Sequence, residues 1–516
     1  MKRIIALLAA AVMLSACSAG ESGETSSEAE SSSLSEISSS AGDVSAPDSS
    51  EAEKPPEKKK YDADPTPLEQ QSAAALPSLE KVTAQYKEKK ESISGDLEKL
   101  ASAKEHPCIN ITTEDGKKIL SKDEYTASVI DVFNCDEGFR LTAGAGVKVR
   151  GNSTADQGDE KPYRIKFEAK QGMLGLHGGK AYKSWVLLRS YWNLAPDYAG
   201  LSLAKTIFEG KYYSSDFMYV NLFINGKSRG IYLLCEQNQA SEGRVDVYEP
   251  KPDETQAEIG YLIEMDNYAS EEHPYFTLEH TGKEFKDIAG TTRRLWDKDY
   301  SVKSDINTKG QLEFIKKYTD GCFKILYEAA ENGKALMFDS EYNTVSADGV
   351  YPSPQEAVEA VIDTDSLINM LILEELVHNN DVGAGSFYMA VDFTEQSKYK
   401  RLTFMAPWDF NWAYEGSASG KFYACTFQDI WKDGYDRSNL WYTVAMKAPW
   451  FADKVKARWK ALSSSGVLTD TTTQVVNDCY SLMKDLGSKE AWKSDKAKDI
   501  CDFINGRIKW LDKQWL

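Results

Sequence analysis

The sequence predicts an α+β fold of two lobes, β-rich in its first half and mainly helical in its second. Three observations carry that expectation. Between residues 147 and 266 apolar side chains recur with period two or in short continuous runs, the pattern of strands. From residue 363 onward they recur mostly at helical spacing, interrupted by two short strand-like runs. The stretch 107–516 is long for one small domain and suits a two-lobed enzyme of roughly 400 residues.

At the amino terminus, Lys2 and Arg3 precede an apolar run over residues 4–13, followed by Leu14-Ser15-Ala16-Cys17. The run is too short to span a membrane, which takes about 20 apolar residues. The tetrapeptide resembles a bacterial lipobox. Residues 1–17 are therefore expected to be a lipoprotein signal, with the mature chain lipidated at Cys17 and anchored outside the cytoplasm. Residues 18–64 are Ser-, Glu-, Ala- and Pro-rich and bury too little apolar surface to offset their ordering entropy, so they read as a disordered tether. Residues 65–106 carry charged helical patterning and read as a connector, and 107–516 as the main domain.

Within that domain Val147-Lys-Val-Arg150 and Tyr163-Arg-Ile-Lys-Phe167 alternate, and Trp185-Val-Leu-Leu188 is continuously apolar. Period two sends Tyr163, Ile165 and Phe167 to one face and Arg164 and Lys166 to the other. The turn Gly151-Asn-Ser-Thr-Ala-Asp-Gln-Gly158 is small enough to bring backbone N–H groups near an anion, with Lys166 and Arg150 as phosphate-gripping cations or, alternatively, exposed edge residues. Leu194, Tyr198, Leu201, Ala204 and Phe208 share a helical face. In the stretch 218–236, Asn225-Gly226 supplies a type I′ turn between two apolar strands, the second ending at Glu236. Residues 259–266 read as a further strand with an acidic end.

The chemistry concentrates in His378-Asn-Asn-Asp381 and Ala406-Pro-Trp-Asp-Phe-Asn411. A strongly apolar helix over 363–378 delivers Asp381. Strands over 387–391 and 402–405 deliver Asp409. Two acids fixed at the ends of core segments are the layout of metal-assisted phosphoryl transfer, in which one orients the attacking hydroxyl and the other holds Mg²⁺ against nucleotide phosphates. The plain alternative is that each Asp caps or turns the chain. Residues 444–462 and 473–486 read as amphipathic helices, and Trp441, Trp450 and Trp459 as packing residues.

Composition removes several classes. A net charge of −19 argues against a nucleic-acid partner. Five histidines, none as His-x-His or His-Glu-x-x-His, argue against a zinc hydrolase. Seven cysteines follow Cys17 with no Cys-x-x-Cys spacing, so most read as small buried side chains. There is no complete Walker loop and no internal repeat.

The succession Val149-Arg-Gly-Asn-Ser153, Pro162-Tyr-Arg-Ile-Lys-Phe167, Asn225-Gly-Lys-Ser-Arg-Gly-Ile-Tyr-Leu-Leu-Cys-Glu236, Asn380-Asp381 and Pro407-Trp-Asp409 resembles the CotH family, the spore coat protein H kinases. The motifs fall in register across residues 140–460. The resemblance implies an atypical kinase with a protein-kinase-like two-lobed fold. It implies ATP and a divalent metal as requirements, Mg²⁺ or Mn²⁺ with Ca²⁺ as a third candidate, and serine in secreted or surface proteins as acceptor, spore coat proteins among them.

Carried over by position, Asp381 is similar to the catalytic aspartate and Asp409 to the metal-binding one. Lys166 is similar to the strand lysine beside the phosphates, with Arg150 as helper, and Glu236 to a residue of the inter-lobe linker. The chain departs from the family where Ser386 replaces an Asn metal ligand, with Asn411 as a substitute donor. The helix over 194–208 has no internal Glu for Lys166, the nearest being Glu209, and Pro196-Asp197 reverses the usual Asp-Pro order.

Three functions follow as expectations. The first is an exported kinase acting on Ser-rich surface proteins, its own tether at 18–50 included. The second is a pseudokinase or adhesive scaffold for a cell-surface partner. The third is a carbohydrate- or solute-binding lipoprotein, suggested by the anchor, the acidity and 12 Trp.

Overall fold

Alternation gives each strand of the first half one apolar face, and rolling seven such strands into a closed barrel buries all those faces together. The computed structural model describes residues 61–69, 74–151, 155, 161–189, 193–271, 274–280, 283–430 and 436–516. Cys17 and the rest of residues 1–60, and most of the 151–158 turn, lie outside the described residues. Helices α1 (Glu80–Glu88) and α2 (Lys90–Ala101) lead into β1 (Cys108–Thr113), β2 (Thr126–Phe133), β3 (Leu141–Val149), β4 (Tyr163–Gln171) and β5 (Tyr182–Leu188). Helix α3 (Ala195–Phe208) then precedes the hairpin β6 (Phe217–Ile224) and β7 (Lys227–Glu236). The strand order is β1-β2-β3-β4-β5-β7-β6, and a parallel β1–β6 pairing closes the ring.

Tyr163, Ile165 and Phe167 point into the barrel with Val147, Trp185, Leu222 and Leu234, as period two requires. Asn225 and Gly226 both have positive φ, 50° and 72°, and connect Ile224 to its register partner Lys227 as the two-residue turn expected of Asn-Gly. α1 lies on the outer face of β2, where Val82 and Tyr86 meet Ala127 and Val129.

The second half is built on a five-stranded antiparallel sheet ordered β16-β15-β8-β12-β9. Its members are β8 (Gly260–Met265), β9 (Tyr275–Leu278), β12 (Lys298–Val302), β15 (Phe387–Asp392) and β16 (Thr403–Phe404). Two small hairpins flank it, β10 (Glu284–Lys286) with β11 (Thr292–Arg294) and β13 (Leu336–Phe338) with β14 (Thr344–Ser346). The helices of this half are α4 (Lys309–Asn332), α5 (Pro354–Val361), α6 (Thr364–Val377), α7 (Leu440–Ala445), α8 (Pro449–Ser465), α9 (Val467–Ser481), α10 (Met483–Leu486) and α11 (Trp492–Trp515), of which α4 packs on β9 and α6 on β16.

Three expectations are adjusted. The helix expected over 444–462 is two, because Pro449 lacks an N–H and starts α8 afresh after α7 ends. The helix expected over 473–486 begins at Val467 and passes into α10 at Leu482. The tether boundary at residue 64 falls inside packed chain: the Tyr61 ring lies 5.0 Å from Phe314, and Asp64 accepts from Gly310 N–H at 3.0 Å. The cysteines behave as expected, all seven after Cys17 being free and all but Cys135 buried. Trp441 and Trp459 are buried too.

α3 was expected to bury one face but is buried nearly all round, because α6, α9 and α11 surround it. On it Gly200 admits the ring of Phe410 so closely that a Cβ there would sit 2.3 Å from ring carbons. Gly200→Ala is therefore expected to destabilise the protein by about 1–3 kcal/mol, the typical cost of overpacking, well beyond what helix propensity would return. Chemical denaturation measures it, and unchanged stability would show that Phe410 repacks freely.

Candidate active site

Two loops carry the acids, and each is held by elements whose sequence dictates their ends. α6 is buried on every side and capped by Asp363, whose carboxylate accepts from Ser366 N–H at 3.1 Å. It stops at His378, which adopts the left-handed conformation and turns the chain into Asn379-Asn380-Asp381. The second loop leaves β16 and runs through Ala406 and Asp409 to Tyr414. His378, Ser386, Ala406, Asp409 and Tyr414 all have φ between 51° and 66°, backbone that L residues adopt only under constraint.

Asn379 supplies part of that constraint. Its Oδ1 accepts from Asp381 N–H at 3.0 Å, and its Nδ2 donates to the Asp409 carbonyl at 3.3 Å, so one side chain ties the two loops together. Lys298 Nζ donates to the Gly383 carbonyl, and Asn439 Nδ2 to that of Val382 at 2.8 Å, which fixes the turn after Asp381. Asp197, in the first turn of α3, accepts from Phe410 N–H at 2.9 Å and anchors the turn after Asp409.

The electrostatics are those of crowded carboxylates. Burial and then the charge of Asp409 raise the Asp381 pKa to about 6, against the lowering effect of Arg437, whose guanidinium lies 2.9 Å away. Asp409 is raised by burial and by Glu264, with Arg150 and the Asn411 side-chain amide opposing. Burial and Asp409 push Asp197 to about 7. Burial pushes Glu374, on α6, to about 8. His378 stacks on Tyr423 with ring centroids 4.5 Å apart, and burial drives its pKa to about 3, so it stays neutral.

The residues singled out by sequence separate into two sets. Asp381, Asp409, Asn411 and Arg150 come together: the Asn411 amide donates to Asp409, while Arg150, stacked on Trp408 at 5.4 Å, faces Asp409 and Asp197. Ser386 opens β15 half-buried, and no hydrogen bond joins it to Asp409.

Lys166 stands apart. Alternation places it on the outer wall of the barrel, over the Tyr125 ring at 5.8 Å and within 3.5 Å of the Ala74 carbonyl, so the expectation that it reaches phosphates beside the acids is corrected. Glu236 is corrected as well. It is fully buried, with Oε1 taken by Arg244 at 3.2 Å and Oε2 by His177 at 3.1 Å and Asp216 N–H at 2.9 Å, so it has no oxygen free for a nucleotide.

Asp197, Arg437, Asn379 and Glu264 were not assigned from sequence. For Asp197 the signal was the Pro196-Asp197 pair opening a helix, and Asn379 lay within the acidic motif. Nothing near Arg437 marks it.

Residues 147–511 match the CotH kinase protein family, a span holding both acids, Arg150, Asp197 and Arg437. The chain belongs to the CotH kinase family. No curated protein matches it. Against this CotH assignment the donor set can be tested. Among the described residues no three His, Cys, Asp or Glu side chains gather closely enough to cage a metal alone. Two raised carboxylates facing few cations still suit a divalent ion whose remaining positions are filled by phosphates and water, the usual Mg²⁺ arrangement. Asp409, with Asn411 beside it, would hold such an ion in this CotH chain.

The same crowding sets the stability profile. The folded Asp197 and Asp381 hold protons up to about pH 7 and about pH 6, whereas their ordinary value is 3.8. At these two carboxyls the folded state binds more protons than the unfolded state from about pH 4 to 7, so their contribution to stability falls as pH rises through that window, opposed below about pH 6.5 by His378, which is protonated only in the unfolded chain there. The Tm of ligand-free protein is expected to decline from about pH 6.5 to 8. Asp197→Asn, which keeps an acceptor for Phe410 N–H, should flatten the profile and raise Tm at pH 8 by roughly 1 °C, the equivalent of about 1 kcal/mol for a chain of this length. A variant profile parallel to that of the wild type would refute the assignment.

Proposed function

We propose that this CotH-family chain is an exported atypical kinase that transfers the γ-phosphate of ATP to Ser or Thr of secreted or surface proteins, spore coat proteins and its own Ser-rich tether among the candidates. The observation that carries the reading is the coupling of Asp381 and Asp409. They stand on separate loops tied by one Asn379 side chain, close enough for the charge of one to shift the titration of the other. On this reading the barrel serves as the β-rich lobe and the helical half as the second lobe of a kinase-like fold. Lipid on Cys17 would hold the enzyme at the outer face of the membrane, with residues 18–60 as its reach. Among the described residues no helix is long and apolar enough to cross a membrane.

Asp381 is the base. Its side chain keeps 29% of its surface exposed, which lets an acceptor hydroxyl approach, and Arg437 holds the carboxylate in place. As the hydroxyl oxygen bonds to the γ-phosphorus and the bond to the β-phosphate oxygen breaks, the hydroxyl proton passes to Asp381 and ADP departs. Arg150, fixed over Trp408, is the cation placed to meet phosphate charge, the role sequence had given to Lys166. A divalent ion held by Asp409 would neutralise charge on the phosphates.

A second reading has its own support. Arg437 already pairs with Asp381, and Ser386 stands where a second metal donor is usual, which favours a pseudokinase or adhesive scaffold. One assay decides between them. With Mg²⁺ or Mn²⁺ and labelled ATP, transfer to a peptide spanning residues 18–50 is expected to fall by about 10²–10⁴-fold in Asp381→Ala and to vanish in Asp409→Ala. Arg150→Ala should raise KM for ATP, while Lys166→Ala should change the rate less than about threefold, because it touches neither acid. Wild-type transfer no greater than that of the Asp381→Ala/Asp409→Ala double variant would select the scaffold.

A further inference from the structure

Apart from the acids, the end of the barrel at the β6–β7 turn holds a pocket of about 180 Å³. Lys117, Lys118, Lys161, Lys227 and Arg229 line it, and among the described residues no acidic side chain does. In a chain of net charge −19 such a gathering of cations runs against composition. Two of the five are engaged: Lys117 pairs with Glu114 at 2.9 Å, and Lys161 donates to the Ala155 carbonyl. Lys118, Lys227 and Arg229 have no side-chain partner among the described residues, and Nε of Arg229 is buried without a hydrogen bond. A buried guanidinium nitrogen left without an acceptor costs free energy unless a ligand supplies one.

The floor is apolar, formed by the buried Ile119, Tyr163 and Ile224, while Leu120 at the rim is 63% exposed. A small inorganic anion would use the cations alone, whereas a phosphate carried on an organic group would use the floor and rim too.

We propose that this pocket binds a phosphate-bearing anion. Phosphate is the chemistry that fits: its double charge answers two ammonium groups, and its oxygens match the planar donor fork of Arg229 in a way a single carboxylate does not. The site contains neither acid of the transfer centre nor Arg150, so it holds ligand without consuming it. The source is a phosphoserine side chain of a protein or a free phosphate, and both present the same dianion to the same three cations.

The test is isothermal titration of the full chain with three probes: inorganic phosphate, a phosphoserine peptide and the same peptide unphosphorylated. Binding of phosphate or the phosphopeptide but not the bare peptide is expected, weakened at least tenfold in Lys118→Gln/Lys227→Gln. Both positions are exposed, so the fold is retained. Arg229→Met should weaken it similarly. A phosphopeptide bound more tightly than inorganic phosphate identifies a phosphorylated protein as the source, and the reverse identifies the free anion. Asp381→Asn should leave this binding unchanged, which separates the pocket from the transfer reading. No binding by either phosphate probe, or binding unaltered in the lysine variant, overturns the proposal.

Discussion

Repulsion between carboxylates held together out of bulk water is the constraint around which this molecule is arranged. Asp381 and Asp409 would move apart or take up protons if their loops were free to relax. They are not free: Asn379 joins the loops, Asp197 grips the turn after Asp409, and Lys298 and Asn439 pin the turn after Asp381. The left-handed backbone at Ser386, Ala406 and Asp409 shows where that restraint is spent. Such preorganisation leaves an unbalanced negative field, which a cation can relieve and water relieves less well.

The restraint reaches far along the chain. Arg507, on the last helix, donates through Nε to the Glu375 carbonyl at 2.7 Å and through its other nitrogens to the Glu375 carboxylate and the Lys421 carbonyl. It thereby ties α11 to α6 and to the segment below His378. On the barrel side, fully buried Arg244 joins Glu236, the Ser184 carbonyl and the Tyr182 ring, 3.9 Å from its guanidinium carbon. Removing one partner from either network would leave a buried charge uncompensated, a penalty larger than the net worth of the pair.

Much of this was legible along the chain because it rests on local periodicity. The faces of β4, the turn at Asn225-Gly226, the span of α6 and the two strands before Asp409 are each fixed by neighbours within a few residues. Asp381 and Asp409 stood out for the same reason, as acids at the ends of apolar runs. Other features were not local. Pro449 divided a continuous amphipathic pattern because a missing N–H outweighs side-chain spacing. Lys166 looked like a phosphate ligand until Tyr125 and the Ala74 carbonyl were found on its side of the wall. Glu236 looked available because nothing in its own strand reveals Arg244 and His177.

The amino-acid order by itself determined the mixed α+β class, the CotH resemblance, the two principal acids and the direction each strand residue faces, since all of these follow from repeats of two or 3.6 residues and from short motifs. Tertiary structure alone decided that the strands close into a ring, that Arg150 and not Lys166 meets the acids, and that Asp197, Asn379 and Arg437 complete the centre. Those outcomes depend on contacts between segments more than 200 residues apart, such as Asp197 with Phe410, and no periodicity encodes which distant surface a side chain will find.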